Sequence, residues 1–144
     1  MNRRETVQRL LDGALALFLT EGTAAVTIDQ IVERADIAKG SFYRYARDKA
    51  DLVEQIMAPV GEQVTAALEH CEQALLRAHK DTLAATYLQL AAELSMVVAN
   101  HAKPVLLYLQ EMRSPPDAAR RSIHALGEQL TTRAIRLTEI ARDA

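Results

Sequence analysis

The sequence predicts an all-α chain: an N-terminal three-helix domain built around a helix-turn-helix, followed by a longer helical region. Three observations carry this. Apolar residues recur every three or four positions along almost the whole chain, the spacing of one helix face. Alternating apolar and polar runs, which mark half-buried strands, are weak. Residues 27–46 read as a short helix, a tight turn and a second short helix whose charges are mostly basic.

In the first helix Val7, Leu10, Leu11, Ala14 and Phe18 share a face, and Gly22 closes it where a left-handed residue fits. Thr27 caps the second helix, and Gln30 three residues on completes a capping box. Ile28, Ile31, Val32 and Ala35 form its buried stripe. The turn runs from Ala35 to Ala38 with Ile37 as an apolar plug, and a third helix covers Lys39 to Tyr45. Asp48 caps a fourth, which buries Leu52, Val53 and Ile56. Pro59 and Gly61 predict a kink or break near Ala58. Beyond it, Val60, Val64, Ala67, Leu68, Cys71, Leu75 and Ala78 keep helical spacing. Asp81 caps a further helix with Leu83, Tyr87, Leu90, Ala91, Leu94, Val97 and Val98 on one face. Pro104 suits the first turn of a short helix ending near Arg113. Ser114-Pro115-Pro116 is the clearest loop, and a last helix from Asp117 carries Ile123, Leu126, Leu130 and Leu137. The expected division is a head at residues 1–58, with the helix-turn-helix at 27–46, and a helical region at 59–144.

Hydrophobic residues make up 49% of the 144 and charged residues 25%, an ordinary globular balance. The net charge of −2 does not advertise a nucleic-acid binder. Its distribution does: of the five charged residues from Lys39 to Lys49, four are basic. Phe42, Tyr43 and Tyr45 lie among them, half of the chain's aromatics. Phosphate binding depends on such a local patch rather than on net charge. The single Cys71 excludes an internal disulfide and suits a reducing compartment. No segment approaches the run of about 20 apolar residues that spans a bilayer, and the start has no apolar secretory stretch. A cytoplasmic protein with no membrane partner is expected.

The residues of this patch have chemistry suited to duplex DNA. Lys39, at the start of the third helix, can reach guanine O6 and N7. Gly40 has no side chain, so backbone there can approach a base edge or phosphate. Arg44 can fork onto a guanine or onto the backbone. Lys49, in the first turn of the fourth helix, suits a phosphate, and Thr27 offers a hydroxyl at a helix N-terminus by the same logic. Phe42 reads instead as a core residue seating the third helix.

Residues 4–58 resemble the N-terminal DNA-binding domain of the tetracycline-repressor (TetR) family of transcriptional regulators. The resemblance rests on Phe18 with Glu21-Gly22, Thr27-Ile28 with Ile31, and Ala35-Asp36-Ile37. Its most specific stretch is Lys39-Gly40-Ser41-Phe42-Tyr43-Arg44-Tyr45, followed by Lys49 and Leu52. It implies DNA contacts from Thr27, Lys39, Gly40, Ser41, Tyr43, Arg44, Tyr45 and Lys49, the two tyrosines donating to phosphate. It also implies a helical effector-binding and dimerisation region at 59–144, and a ligand-responsive repressor acting as a homodimer on a palindromic operator. The sequence departs from the family twice. Ala46 stands where the family has a large aromatic, so Leu52, Phe18 or Tyr45 repacks there or the domain is looser. The chain is also short at the C-terminus by the family's measure: it is either a fragment, or a variant that dimerises through the helix from Asp117 to Ala144.

Elsewhere the residues are plainer. Tyr87, Met96, His101, Tyr108 and Met112 fall on helices expected to enclose a cavity, and read either as the lining of a pocket for a hydrophobic or aromatic effector or simply as core and rim. With no cluster of charges on the same faces, an ionic effector is disfavoured. His70 beside Cys71 has no second ligand pair at metal-binding spacing, and Cys71 lies on an apolar stripe as a buried thiol. His79 and His124 read as surface residues. Arg3 and Arg4 suit a minor-groove arm or a solvated helix start. No nucleophile–base grouping, phosphate loop or paired carboxylates support catalysis, and no metal or cofactor is expected. The rival reading is a helical small-molecule binding or adaptor protein with a vestigial DNA-binding head.

Overall fold

The computed structural model describes residues 2–144, and among them every regular element is helical. In order these are α1 (Arg3–Glu21), α2 (Ile28–Ala35), α3 (Lys39–Phe42), α4 (Lys49–Leu76), α5 (Leu83–Asn100), α6 (Ala102–Met112) and α7 (Arg121–Arg142). Short 3-10 turns at Lys80–Thr82 and Ala118–Arg120 lead into α5 and α7. Two compact units form, residues 1–58 with 103–124, and residues 59–102 with 125–144.

In the first unit the expected stripes supply the core. Leu10, Ala14 and Phe18 of α1, Ile31, Val32 and Ala35 of α2, Phe42 of α3, and Leu52, Val53 and Ile56 of α4 are all buried. Burying each large apolar side chain stabilises the fold by about 1.5–3 kcal/mol. The capping box at Thr27 is present: its hydroxyl accepts from Gln30 N–H at 3.2 Å, and the Gln30 carboxamide accepts from Thr27 N–H at 2.8 Å. Asp36 takes the left-handed conformation (φ 56°) that ends α2, one of the few side chains that tolerates it. Ala46 is buried, and so are Phe18 and Leu52. Tyr45 is not; its ring instead lies under the Arg3 guanidinium at 5.0 Å.

Two local expectations need correction. The regular part of α3 ends at Phe42, three residues before the expected Tyr45. The chain tightens there to three-residue bonds, Arg44 N–H to Ser41 C=O and Tyr45 N–H to Phe42 C=O, as it turns towards Asp48. Asp48 then caps α4, accepting from Asp51 N–H at 2.8 Å. α4 itself shows no break: the helix continues through Pro59, which is exposed to solvent.

In the second unit α4 and α7 pack in parallel. Glu69 pairs with Arg133 at 3.3 Å, and Glu72 with Arg136 at 3.5 Å, so both partners advance by three residues together. Between them lies a core of Leu68, Cys71, Leu75 and Leu137, with Val64, Leu83, Leu90, Leu130 and Ile140 against it. Gly61 of α4 faces Leu126 of α7, and a Cβ there would meet it at 3.4 Å, an ordinary van der Waals contact. α5 is different. It was expected to bury a full face, yet only Val97 is buried, while Tyr87, Leu88, Met96 and Val98 are exposed. The stretch Lys80–Asn100, with mean hydropathy 1.3, also corrects the expectation that no segment has the length and apolarity to cross a membrane.

Candidate nucleic-acid interface

The expected DNA-facing residues lie on the N-terminal helix-turn-helix. Thr27, Lys39, Gly40, Tyr43 and Arg44 are exposed, and Ser41, Tyr45 and Lys49 are half-buried. Phe42 anchors the group from beneath, fully buried and with its ring edge-on to Tyr43 at 5.2 Å and 79°. Gln55 on α4 donates to the Tyr45 carbonyl at 2.9 Å, fixing the end of the α3 turn. An apolar side below and a basic, aromatic side above is the form of a reading helix seated on a small core.

Each polar group has a distinct state. Lys39 Nζ sits 2.8 Å from Asp29 on α2, and this hydrogen-bonded carboxylate raises the lysine pKa. Arg44 makes no ion pair among the described residues. The Thr27 oxygen accepts within the capping box, which leaves its O–H to donate outward. A Cβ added to Gly40 would meet nothing within 4 Å. The molecule's own packing does not require glycine there; a close external surface would.

Lys49 behaves unlike its sequence reading. Its Nζ donates to the carbonyls of Ala24 and Val26, at 2.9 and 2.8 Å, and so bridges to the turn between α1 and α2. Desolvation lowers its pKa. One of its three N–H donors remains for a phosphate. Arg3 joins the interface through the Tyr45 ring, while Arg4 is an exposed residue of the first turn of α1.

Behind this surface lies a group that sequence reasoning missed. Glu111 on α6 is buried, as is Arg120, and the two pair at 3.2 Å. Glu111 also accepts from Thr23 N–H in the α1–α2 turn. Arg120 further donates to the Pro115 carbonyl at 2.6 Å. Glu111 lies 88 residues from Thr23, and no local pattern foretells such a pairing.

The five expected effector residues are divided between the units. Tyr87 and Met96 are exposed on α5, and His101, half-buried, meets the Gln63 carboxamide at 3.0 Å. Tyr108 and Met112 lie half-buried on α6 in the other unit, where burial raises the Tyr108 pKa. An open groove of about 460 Å³ lies instead along α7, lined by Ala125, Glu128, Gln129, Thr132 and Arg133, none of them singled out by the sequence. His124 is half-buried rather than a surface residue, and its Nε2 is buried without a hydrogen-bond partner.

Residues 10–56 match the family model of bacterial regulatory proteins of the tetR family. Residues 10–56 are thus similar to the N-terminal DNA-binding domain of that family. Among curated relatives, the uncharacterized HTH-type transcriptional regulator TtgW of Pseudomonas putida is 33% identical over 55 residues, 38% of this chain and 41% of TtgW. The repressor KstR of Rhodococcus jostii is 37% identical over 62 residues, 43% of this chain and 29% of KstR. AcrR of Shigella flexneri is 36% identical over 53 residues, 37% of this chain and 25% of AcrR. The chain thus spans less than half the length of these curated relatives. A crystal structure assigned to the TetR family, from Syntrophomonas wolfei, covers 92% of this chain with 63% of its own, at a TM-score of 0.64 and 20% identity. That likeness shows a shared fold. The matched segment contains Thr27, Lys39 to Tyr45 and Lys49, the whole candidate interface.

Proposed function

We propose that this chain, with its tetR-type N-terminal domain, is a cytoplasmic DNA-binding transcriptional repressor that binds a palindromic operator as a homodimer and is released by a small-molecule effector. The observation that carries the reading is the exposed surface formed by Lys39, Gly40, Tyr43 and Arg44, basic and aromatic, with open space above Gly40. Thr27, Ser41, Tyr45 and Lys49 complete the contact set. Lys39 and Arg44 read base edges, and the hydroxyls and Lys49 hold phosphates. In a dimer the two reading helices enter successive major grooves about 34–36 Å apart. The effector we propose is hydrophobic or aromatic, taken up by the helices beyond the head. The apolar composition of α5 supports this.

The test is a fluorescence-anisotropy titration of the chain against duplex DNA at several salt concentrations, followed by selection from random duplexes. Log affinity is expected to fall linearly with log salt, and an inverted-repeat sequence to be enriched. Affinity absent at every salt concentration favours the rival, a helical binding or adaptor protein with a vestigial head.

A further inference from the structure

The turn from Gly22 to Val26 joins α1 to Thr27, the first residue of the candidate interface. Its sequence, Gly22-Thr-Ala-Ala-Val26, carries little turn chemistry beyond the glycine, which sits at φ 84°. Yet Thr23 and Val26 are essentially inaccessible to solvent. Side chains from distant positions hold its backbone. Glu111 accepts from Thr23 N–H, and Lys49 donates to the carbonyls of Ala24 and Val26. Beside them Gln110 donates to the Phe18 carbonyl at 3.1 Å, at the end of α1.

We infer that Glu111, oriented by Arg120, is a positioning residue for the DNA-reading head: it fixes the Thr23 turn and with it the placement of Thr27 and α2. A buried carboxylate needs its donors aligned, because a misplaced one is left with an uncompensated charge. Oε1 is taken by Thr23 N–H and Oε2 by the Arg120 Nε–H, so the side chain has one orientation that satisfies both. Arg120 is in turn held by the Pro115 carbonyl of the loop after α6. A shift of α6 is therefore transmitted to Thr23 through a directional contact rather than through deformable apolar packing. This assignment rests on the DNA-binding reading above. It adds α6 as the element whose position sets operator affinity.

The test compares three full chains: the unaltered protein, Glu111→Gln, and Leu137→Ala as a variant destabilised in the core of the second unit. The glutamine keeps size and shape but offers one oxygen to two donors, so one bond is lost. Duplex-DNA affinity is read at a temperature where all three are folded, together with amide NMR shifts and hydrogen exchange. Glu111→Gln should weaken affinity roughly tenfold, the scale of losing a hydrogen bond to a charged group. It should also accelerate exchange at Thr23 and move the amides of residues 23–30. Leu137→Ala should lower Tm and leave affinity alone. Equal affinity losses in both variants, or unmoved amides at 23–30 in Glu111→Gln, would overturn the assignment. If Glu111→Gln does not fold, the apolar double variant Glu111→Met with Arg120→Met removes the contact without stranding a charge and is read in the same way. If the unaltered chain binds no DNA, the functional reading falls, and the amide measurements alone decide whether Glu111 positions the turn.

Discussion

Among single residues, the sharpest contrast is between positions whose identity the fold explains and those it does not. Phe42 is fully buried under the candidate interface, and a core role accounts for it. Gly40 is explained by nothing inside the molecule, since a Cβ there meets open space. Replacing it with alanine should therefore leave Tm unchanged or slightly raised, the gain of removing a helical glycine being about 0.5–1 kcal/mol. The same change should weaken duplex binding severalfold by holding the backbone away. Intact affinity with raised Tm in paired melting and anisotropy experiments would show that nothing approaches Gly40. Cys71 illustrates the opposite case. Burial, and then the nearby Glu93, raise the thiol pKa above its usual 9.0. A raised folded-state value means the thiol's contribution to stability is intact below about pH 9 and lost as pH rises through the folded pKa. Ellman's reagent should accordingly react slowly with the native protein at neutral pH and rapidly once it is unfolded. The buried state of this thiol follows from its apolar neighbours in sequence. The inward turn of Lys49 does not, because its partners Ala24 and Val26 lie more than twenty residues away.

For the elements, the sequence is most legible where local chemistry decides. The stripes of α1 and α2, the capping box and the start of α3 at Lys39 all follow from spacing and side-chain type. Thr27→Ala removes half of the capping box, which should cost about 1 kcal/mol. For a chain of this size that lowers Tm by a few degrees. The affinity loss should be greater than one lost phosphate contact explains, because the start of α2 also loosens. Elements are less legible where tertiary packing overrides a local signal. α3 was expected to reach Tyr45, but its last residues tighten to reach the Asp48 cap. Pro59 was expected to break α4, and the helix continues because one missing N–H is tolerated on an exposed face. Pro59→Ala restores a donor for the Gln55 carbonyl and removes a ring clash. Calorimetry should show a Tm raised by a few degrees.

At the level of the whole molecule, the informative quantity is apolar surface left uncovered. The periodicity of α5 made it look like a core helix, because sequence gives the extent of an apolar surface and not what covers it. The apolar face of α7, by contrast, is used within the chain: Leu137 and Leu130 pack with the Leu68, Cys71 and Leu75 side of α4. That side of α7 is covered within the chain, while α5 supplies the larger exposed apolar surface. Leu88 is 70% exposed and Met96 59%, while alanines at 84, 85, 91, 92 and 99 are exposed on the same helix. Monomers rarely leave a contiguous apolar patch of several hundred Å² uncovered, and small side chains let helices approach closely. The homodimer proposed for operator binding should accordingly use α5. Sedimentation equilibrium should show concentration-dependent self-association of the chain, and Leu88→Glu should shift it towards monomer by burying an unpaired charge at the contact. Because the variant is altered far along the chain from the Lys39–Arg44 surface, each of its heads should keep its basic, non-specific affinity for DNA. It should lose the added affinity that joining two half-sites gives to an inverted repeat. A monomer at every concentration in the unaltered chain, or a Leu88→Glu variant that still dimerises, would place the dimer contact elsewhere.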